Sequence, residues 1–72
     1  MSNMERDVVL RLHKERYKLL VKMSKLRAAL NYEDLVFRAG EVQESLMHQQ
    51  YAFMVNYEDV LRARIEDLMG KL

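Results

Sequence analysis

The fold is decided by residues 9–30, VLRLHKERYKLLVKMSKLRAAL. Large apolar residues recur here at alternating intervals of three and four, the heptad spacing of a helix that buries one stripe. One position of the row is charged, Arg16. The row predicts a helix over residues 3–30 whose seam consists of Val9, Leu12, Arg16, Leu19, Met23, Leu26 and Leu30.

A second heptad row follows a break in the pattern at residues 31–41, NYEDLVFRAGE. Gly40 is typical of a boundary between elements, so this segment predicts a connector with one helical turn of its own. We expect Leu35 and Phe37 to pack against the end of the hairpin. A second helix is predicted over residues 42–69, with the seam Met47, Gln50, Met54, Tyr57, Leu61, Arg64 and Leu68.

The two helices must run antiparallel because the connector between them is short. Flanking apolar residues widen both stripes beyond the surface that one partner helix covers. A domain of 72 residues without cysteine also has a small core, which self-association would complete. We therefore predict an all-α fold: one domain over residues 1–72, an antiparallel two-helix hairpin that assembles as a coiled coil into a homo-oligomeric helical bundle.

Enzyme motifs are missing from the sequence. It contains no HExxH, no GxSxG and no glycine-rich phosphate loop, and the lack of cysteine excludes thiol catalysis and thiolate metal sites. Glu44 and His48 lie four residues apart, but a solvated pair is far commoner than a metal site, which usually needs three protein ligands. We expect a protein without catalytic activity, metal or cofactor.

The sequence gives no sign of a membrane protein. No apolar run approaches the ~20 residues of a membrane span, and residues 1–7, MSNMERD, lack the profile of a signal peptide. We predict a cytoplasmic location and no membrane partner.

Charge is distributed unevenly along the chain. Residues 1–31 carry eight Lys and Arg against three acids, whereas residues 32–72 carry four against eight. The first helix has a basic outer face, formed by Arg11, Lys14, Lys18, Lys22 and Lys25. This face is either solvated, or complementary to the acidic second helix, or an anion-binding surface. The net charge of +1 argues against binding to a DNA or RNA polymer.

Polar residues within the apolar seams are the candidate functional residues. A buried Arg or Gln is costly unless it is paired, so such residues either fix helix register or line a cavity with a polar occupant. Tyr57 offers a face for stacking, and Arg62 or Arg64 offers a guanidinium fork for phosphate. The candidate ligand-binding residues are Arg16, Gln50, Tyr57, Arg62 and Arg64.

One family resemblance extends over most of the chain. It rests on Leu12-x-x-Glu15 and Lys25-Leu26 in the first helix and on Leu46-Met47-x-x-Gln50-x-x-x-Met54-x-x-Tyr57-x-x-Val60-Leu61-x-x-Arg64-Ile65-x-x-Leu68 in the second. This pattern resembles small phage hairpin proteins, which are similar to the hairpin of the phage sponges that counter CBASS and Thoeris immunity.

The resemblance implies a function in sequestration. It implies dimers or hexamers that hold a cyclic oligonucleotide or a cyclic ADP-ribose-type signal in pockets between subunits, without degrading it. The residues leave another interpretation open, in which the wide apolar stripe docks on a host or phage protein.

Overall fold

The protein consists of three helices in a computed structural model that describes residues 3–71. They are α1 (Asn3–Leu30), α2 (Leu35–Ala39) and α3 (Glu41–Gly70). No strand occurs in this part of the chain, so the predicted all-α fold is confirmed. The predicted domain also includes residues 1, 2 and 72, which lie outside the described residues.

The two long helices pack side by side as a hairpin. Its dimensions of 54 × 15 × 13 Å describe a rod about two helices wide. The core joins Leu12 and Leu19 in α1 to Leu61 and Ile65 in α3. Because residues early in α1 meet residues late in α3, the helices are antiparallel, as their connection requires.

The inner face of α1 is the predicted seam. Its apolar members are buried toward the N-terminal end and half-buried toward the connector, and Arg16 is half-buried among them. The heptad row of residues 9–30 therefore identified the packing face of α1 correctly.

The inner face of α3 differs from the predicted seam at every second position. Gln50, Tyr57 and Arg64 are exposed, so their predicted place inside the seam is wrong. In each case the next residue along the chain faces α1 instead, because one residue turns a helix by about 100°. The observed row, which we call the inner seam, consists of Glu44, Met47, Tyr51, Met54, Glu58, Leu61, Ile65 and Leu68.

The rotation of α3 is explained by an ion pair in the core. Arg16 Nη2 donates a hydrogen bond to Glu58 Oε1 at 3.2 Å, and Glu58 is only 8% exposed. Turning Tyr57 inward instead would remove Glu58 from Arg16, which would leave a guanidinium in the seam without its carboxylate. An unpaired charge in such a position is strongly destabilising.

The connector contributes one residue to the core. Leu35 is buried, but Phe37 is 91% exposed, so the prediction that both pack inward is wrong. Residues 35 and 37 of a helix point about 200° apart, and the five-residue helix α2 can turn only one of them toward α3. Gly40 is the N-cap residue of α3, and its φ of 91° lies in a backbone region that a residue with a Cβ rarely adopts.

Candidate functional site

A second row of side chains runs along α3 and has no partner within the hairpin. Each member precedes an inner-seam residue by one, so the row has the same four-three spacing and faces about 100° away. Phe53 is 71% exposed and Val60 56% exposed. We call this row the outer seam; it consists of Leu46, Gln50, Phe53, Tyr57, Val60 and Arg64.

The first half of the outer seam contains a shallow groove of about 350 Å³. Its walls are Leu46, Gln49, Gln50, Phe53, Met54 and Tyr57. All of them belong to α3, so the groove is open on the side away from that helix. Its surface is largely carbon, and its polar groups come from Gln49, Gln50 and Tyr57. Such a surface suits a flat molecule or the side chains of another helix.

A basic row of α1 lies on the same side of the hairpin. Arg64 borders Arg11 and Glu15 in a second groove of about 300 Å³, which Val8 and Leu12 complete. Arg11 therefore shares a side with the outer seam. Residues seven apart lie on one line of a packed helix, so Lys18 and Lys25 continue the line of Arg11, and Lys22 that of Glu15. We call Arg11, Lys18, Lys22 and Lys25 the basic row.

The basic row forms no salt bridge within the part of the chain that the structure describes. Among residues 3–71 the salt bridges involve four other cations, Arg16, Arg38, Arg62 and Lys71. If the basic face is a complement to the acidic second helix, it acts there without direct ion pairs from the basic row to α3. A solvated face and a surface for anions are equally compatible with this arrangement.

Arg16 and Arg62 lie around the buried carboxylate of Glu58 rather than on the outer seam. Arg62 Nη2 is 3.8 Å from Glu58 Oε2 and also pairs with Asp59. The Arg16 side chain is 32% exposed, and its Nε is buried without a partner in the described residues. A donor of this kind is costly to leave unsatisfied, so Nε is a position where an acceptor oxygen would be favourable.

The structure thus divides the five predicted ligand residues into two groups. Gln50, Tyr57 and Arg64 share the outer seam, whereas Arg16 and Arg62 surround Glu58. The sequence interpretation missed two members of these groups, Glu58 and Phe53. Glu58 carried a signal, since a charged residue in one seam of a hairpin requires an opposite charge in the facing layer.

The outer seam and the basic row present hydrogen-bond donors, cations and aromatic faces. No group of three or more His, Cys, Asp or Glu between residues 3 and 71 is placed to hold a metal ion. Both histidines are exposed. Over the same range, no helix combines the length and hydrophobicity that a bilayer-spanning segment needs.

Comparison with known proteins adds one match. The sequence model of the Sequestin family matches residues 6–67. The chain belongs to the Sequestin family. The matched range contains the whole outer seam and the whole basic row, and the family name indicates a protein that binds and sequesters a target rather than one that converts it. At this level the resemblance to sequestering proteins is confirmed. No curated protein and no solved structure gives a significant match to this chain.

Proposed function

We propose that this Sequestin is a phage-encoded, non-enzymatic binding protein that sequesters a small anionic cyclic nucleotide signal of host immunity at subunit interfaces. The observation that carries the proposal is the basic row of α1, which forms no salt bridge in the described residues, beside the outer seam of α3 with its aromatic side chains. The ligand class is a cyclic oligonucleotide or a cyclic ADP-ribose-type molecule.

The chemistry of such a ligand matches the two surfaces. Phosphates need cations and hydrogen-bond donors, which the basic row and the guanidinium of Arg64 supply. Nucleobases need a flat face, and stacking on an aromatic ring contributes about 1–3 kcal/mol per base. Tyr57 offers such a face, and the amide of Gln50 is placed seven residues earlier on the same line. Sequestration requires only that these contacts form, since the ligand leaves unchanged.

A calorimetric titration tests the proposal directly. Purified protein is titrated with cyclic dinucleotides, cyclic trinucleotides and cyclic ADP-ribose isomers at physiological ionic strength. We expect one of these classes to bind and to be recovered intact after heat denaturation of the protein. Absence of binding to every member of the panel, or recovery of a cleaved product, would contradict the proposal.

Two matched pairs of variants locate the site. Tyr57→Ala should weaken binding by about 5- to 150-fold, the equivalent of one lost stacking contact. Tyr17→Ala should have no effect. Tyr17 is exposed, and because it follows the seam residue Arg16 by one, it lies on the flank of α1 away from the basic row. Likewise Lys22→Gln should weaken binding, whereas Lys14→Gln should not, since Lys14 lies on the side of α1 turned away from α3. Equal effects within either pair would place the ligand elsewhere.

A second function, docking on a host or phage protein, is favoured by the hairpin tip. Phe37, Tyr32, Val36 and Val42 are all exposed there, and a cluster of exposed large apolar side chains is typical of a protein–protein interaction site. If this were the function, Phe37→Ala would abolish retention of a co-purified polypeptide while the ligand panel stayed silent. Unchanged nucleotide binding by Phe37→Ala would support sequestration instead.

A further inference from the structure

The second groove contains a charge that a simple anion site does not need. Residues 8, 11, 15, 18, 22 and 25 follow one another at alternating intervals of three and four along the side of α1 that carries the basic row. Four of these positions are the cations of the basic row, and Val8 is apolar. The remaining position is Glu15, whose carboxylate repels any anion that the row attracts. A surface that needed only positive charge would have a lysine or a neutral residue there.

Glu15 is not explained by an ion pair within the hairpin. Arg11 precedes it by four residues and Arg64 borders it from α3, yet none of the three forms a salt bridge among residues 3–71. All three residues are exposed. Two guanidinium groups and one carboxylate therefore line the same groove of about 300 Å³, and all of them are available to a bound molecule.

The lining of the groove restricts the chemistry of such a molecule. Leu12 is buried and Val8 half-buried, so the groove also offers apolar surface. Arginine only donates hydrogen bonds, and an ionised glutamate only accepts them. A molecule that satisfies all three polar groups must bring acceptor oxygens for the arginines and a donor for Glu15. Because two guanidinium groups and one carboxylate give the groove a net charge of +1, the best match is a monoanion with a neutral donor beside it.

We propose that Glu15 is a specificity-determining residue that accepts a hydrogen bond from a ribose hydroxyl, while Arg11 and Arg64 bind the neighbouring phosphodiester. This inference rests on the proposed function, and it narrows the ligand class to ribonucleotides with a free hydroxyl beside the phosphate. A phosphodiester has one negative charge, and its two free oxygens suit guanidinium donors. A ribose hydroxyl is a neutral donor, and acidic residues accept the same hydrogen bond in dinucleotide-binding folds.

Selectivity of this kind suits a protein that must bind one signal among many other nucleotides. A terminal phosphate carries a charge of about −1.5 to −2 at pH 7, and the carboxylate of Glu15 penalises the additional charge. A deoxyribonucleotide lacks the hydroxyl, so it would leave Glu15 beside a phosphate without a compensating hydrogen bond. Glu15 therefore lowers the affinity for both competitors relative to a cyclic ribonucleotide.

The dinucleotides ApA and dApdA test the hydroxyl contact, because each has one phosphodiester and no terminal phosphate. Binding is followed by NMR through the Nε–H resonances of Arg11 and Arg64, with Arg38 in α2 as an internal control. Wild-type protein should bind ApA about fivefold more tightly than dApdA, the equivalent of one hydrogen bond. Glu15→Ala should bind the two equally.

Inorganic phosphate tests the charge of the groove separately. Glu15→Ala removes the only carboxylate of the groove, so the variant should bind phosphate about fivefold more tightly than wild type. A gain in affinity cannot result from a loss of folded structure. Alanine is also the most favourable residue in a helix, so the substitution at this exposed position should leave α1 intact.

Glu66→Ala is the matched control variant. Glu66 is an exposed acid that follows the inner-seam residue Ile65 by one, so it lies on the flank of α3 away from Arg64. Its removal should change the affinities for ApA, dApdA and phosphate by less than about twofold, because solvent and salt screen a charge on that flank from the groove.

Three results would overturn the role of Glu15: equal affinity of wild type for ApA and dApdA, binding of neither, or discrimination that survives in Glu15→Ala. The cyclic nucleotides separate this inference from the proposed function. A protein that discriminates ApA from dApdA but binds no cyclic nucleotide would keep the role of Glu15 and contradict the function. A protein that binds cyclic ribonucleotides and their 2′-deoxy analogues equally would keep the function and contradict the role of Glu15.

Discussion

At the scale of single residues, the pair of Arg16 and Glu58 determines which face of α3 is turned inward. Its contribution to net stability is small by comparison, because removing two charges from water costs about as much as their attraction returns. The Glu58 side chain is 11% exposed and the Arg16 side chain 32%, so the cost falls mainly on the carboxylate. The main effect of the pair is therefore to determine which face of α3 packs against α1.

Replacing both residues of this pair should restore the stability that replacing one of them removes. Arg16→Leu alone should destabilise the hairpin by about 1–3 kcal/mol, because Glu58 keeps only Arg62, whose nearest nitrogen is 3.8 Å away. Arg16→Leu combined with Glu58→Leu should be at least as stable as wild type, since two leucines continue the apolar layers on either side. Urea unfolding followed by circular dichroism measures both. A double variant less stable than Arg16→Leu would show that the charges do more than select the face.

At the scale of elements, the sequence predicted the packing face of α1 correctly and that of α3 only at alternate positions. The residues of α1 offer one heptad row, and that row is the packing face. In α3 two rows run one residue apart, and the predicted seam takes alternate members from each. Tyr57 looked more suitable for a core than Glu58 did. The correct choice depends on the layer opposite Arg16, which is a property of the folded pair of helices.

The candidate site also divides into features that spacing within one helix predicts and features that depend on how the helices pair. That Gln50, Tyr57 and Arg64 share one face follows from their spacing in one helix, and the structure agrees. That this face adjoins Arg11 depends on how α1 and α3 are paired, and spacing within a helix carries no such information. The prediction that Phe37 packs against the hairpin was wrong for a local reason. Leu35 and Phe37 are two residues apart, so they cannot both face inward from one turn of helix.

The connector yields a prediction at this scale. Gly40→Ala should destabilise the hairpin by about 1–2 kcal/mol, because a Cβ is strained at φ 91° even though the space around it is open. Gly70→Ala is the matched control: its surroundings are equally open, and its backbone lies within the last turn of α3. There we expect a change within about 0.5 kcal/mol. Thermal or urea unfolding of the two variants measures the change in each. An equal loss of stability in both would argue against strain at Gly40.

At the scale of the whole molecule, the near-neutral net charge conceals a strong separation of charge. α1 contains eight Lys and Arg against three acids, and α3 contains two against six. Because the helices lie side by side along a 54 Å rod, the separation runs across the rod and not along it. The hairpin therefore has a large transverse electric dipole with its positive edge on α1.

This dipole means that the protein presents one edge first to any charged molecule it meets. An anion within a Debye length, about 10 Å at 0.1 M salt and about 3 Å at 1 M, is drawn to the α1 edge. We expect the association rate with an anionic ligand to fall as salt rises, as it would for a highly charged protein, with a weaker dependence in Lys22→Gln. Stopped-flow measurements over that range test this, and a flat rate would show that the +1 net charge alone governs the encounter.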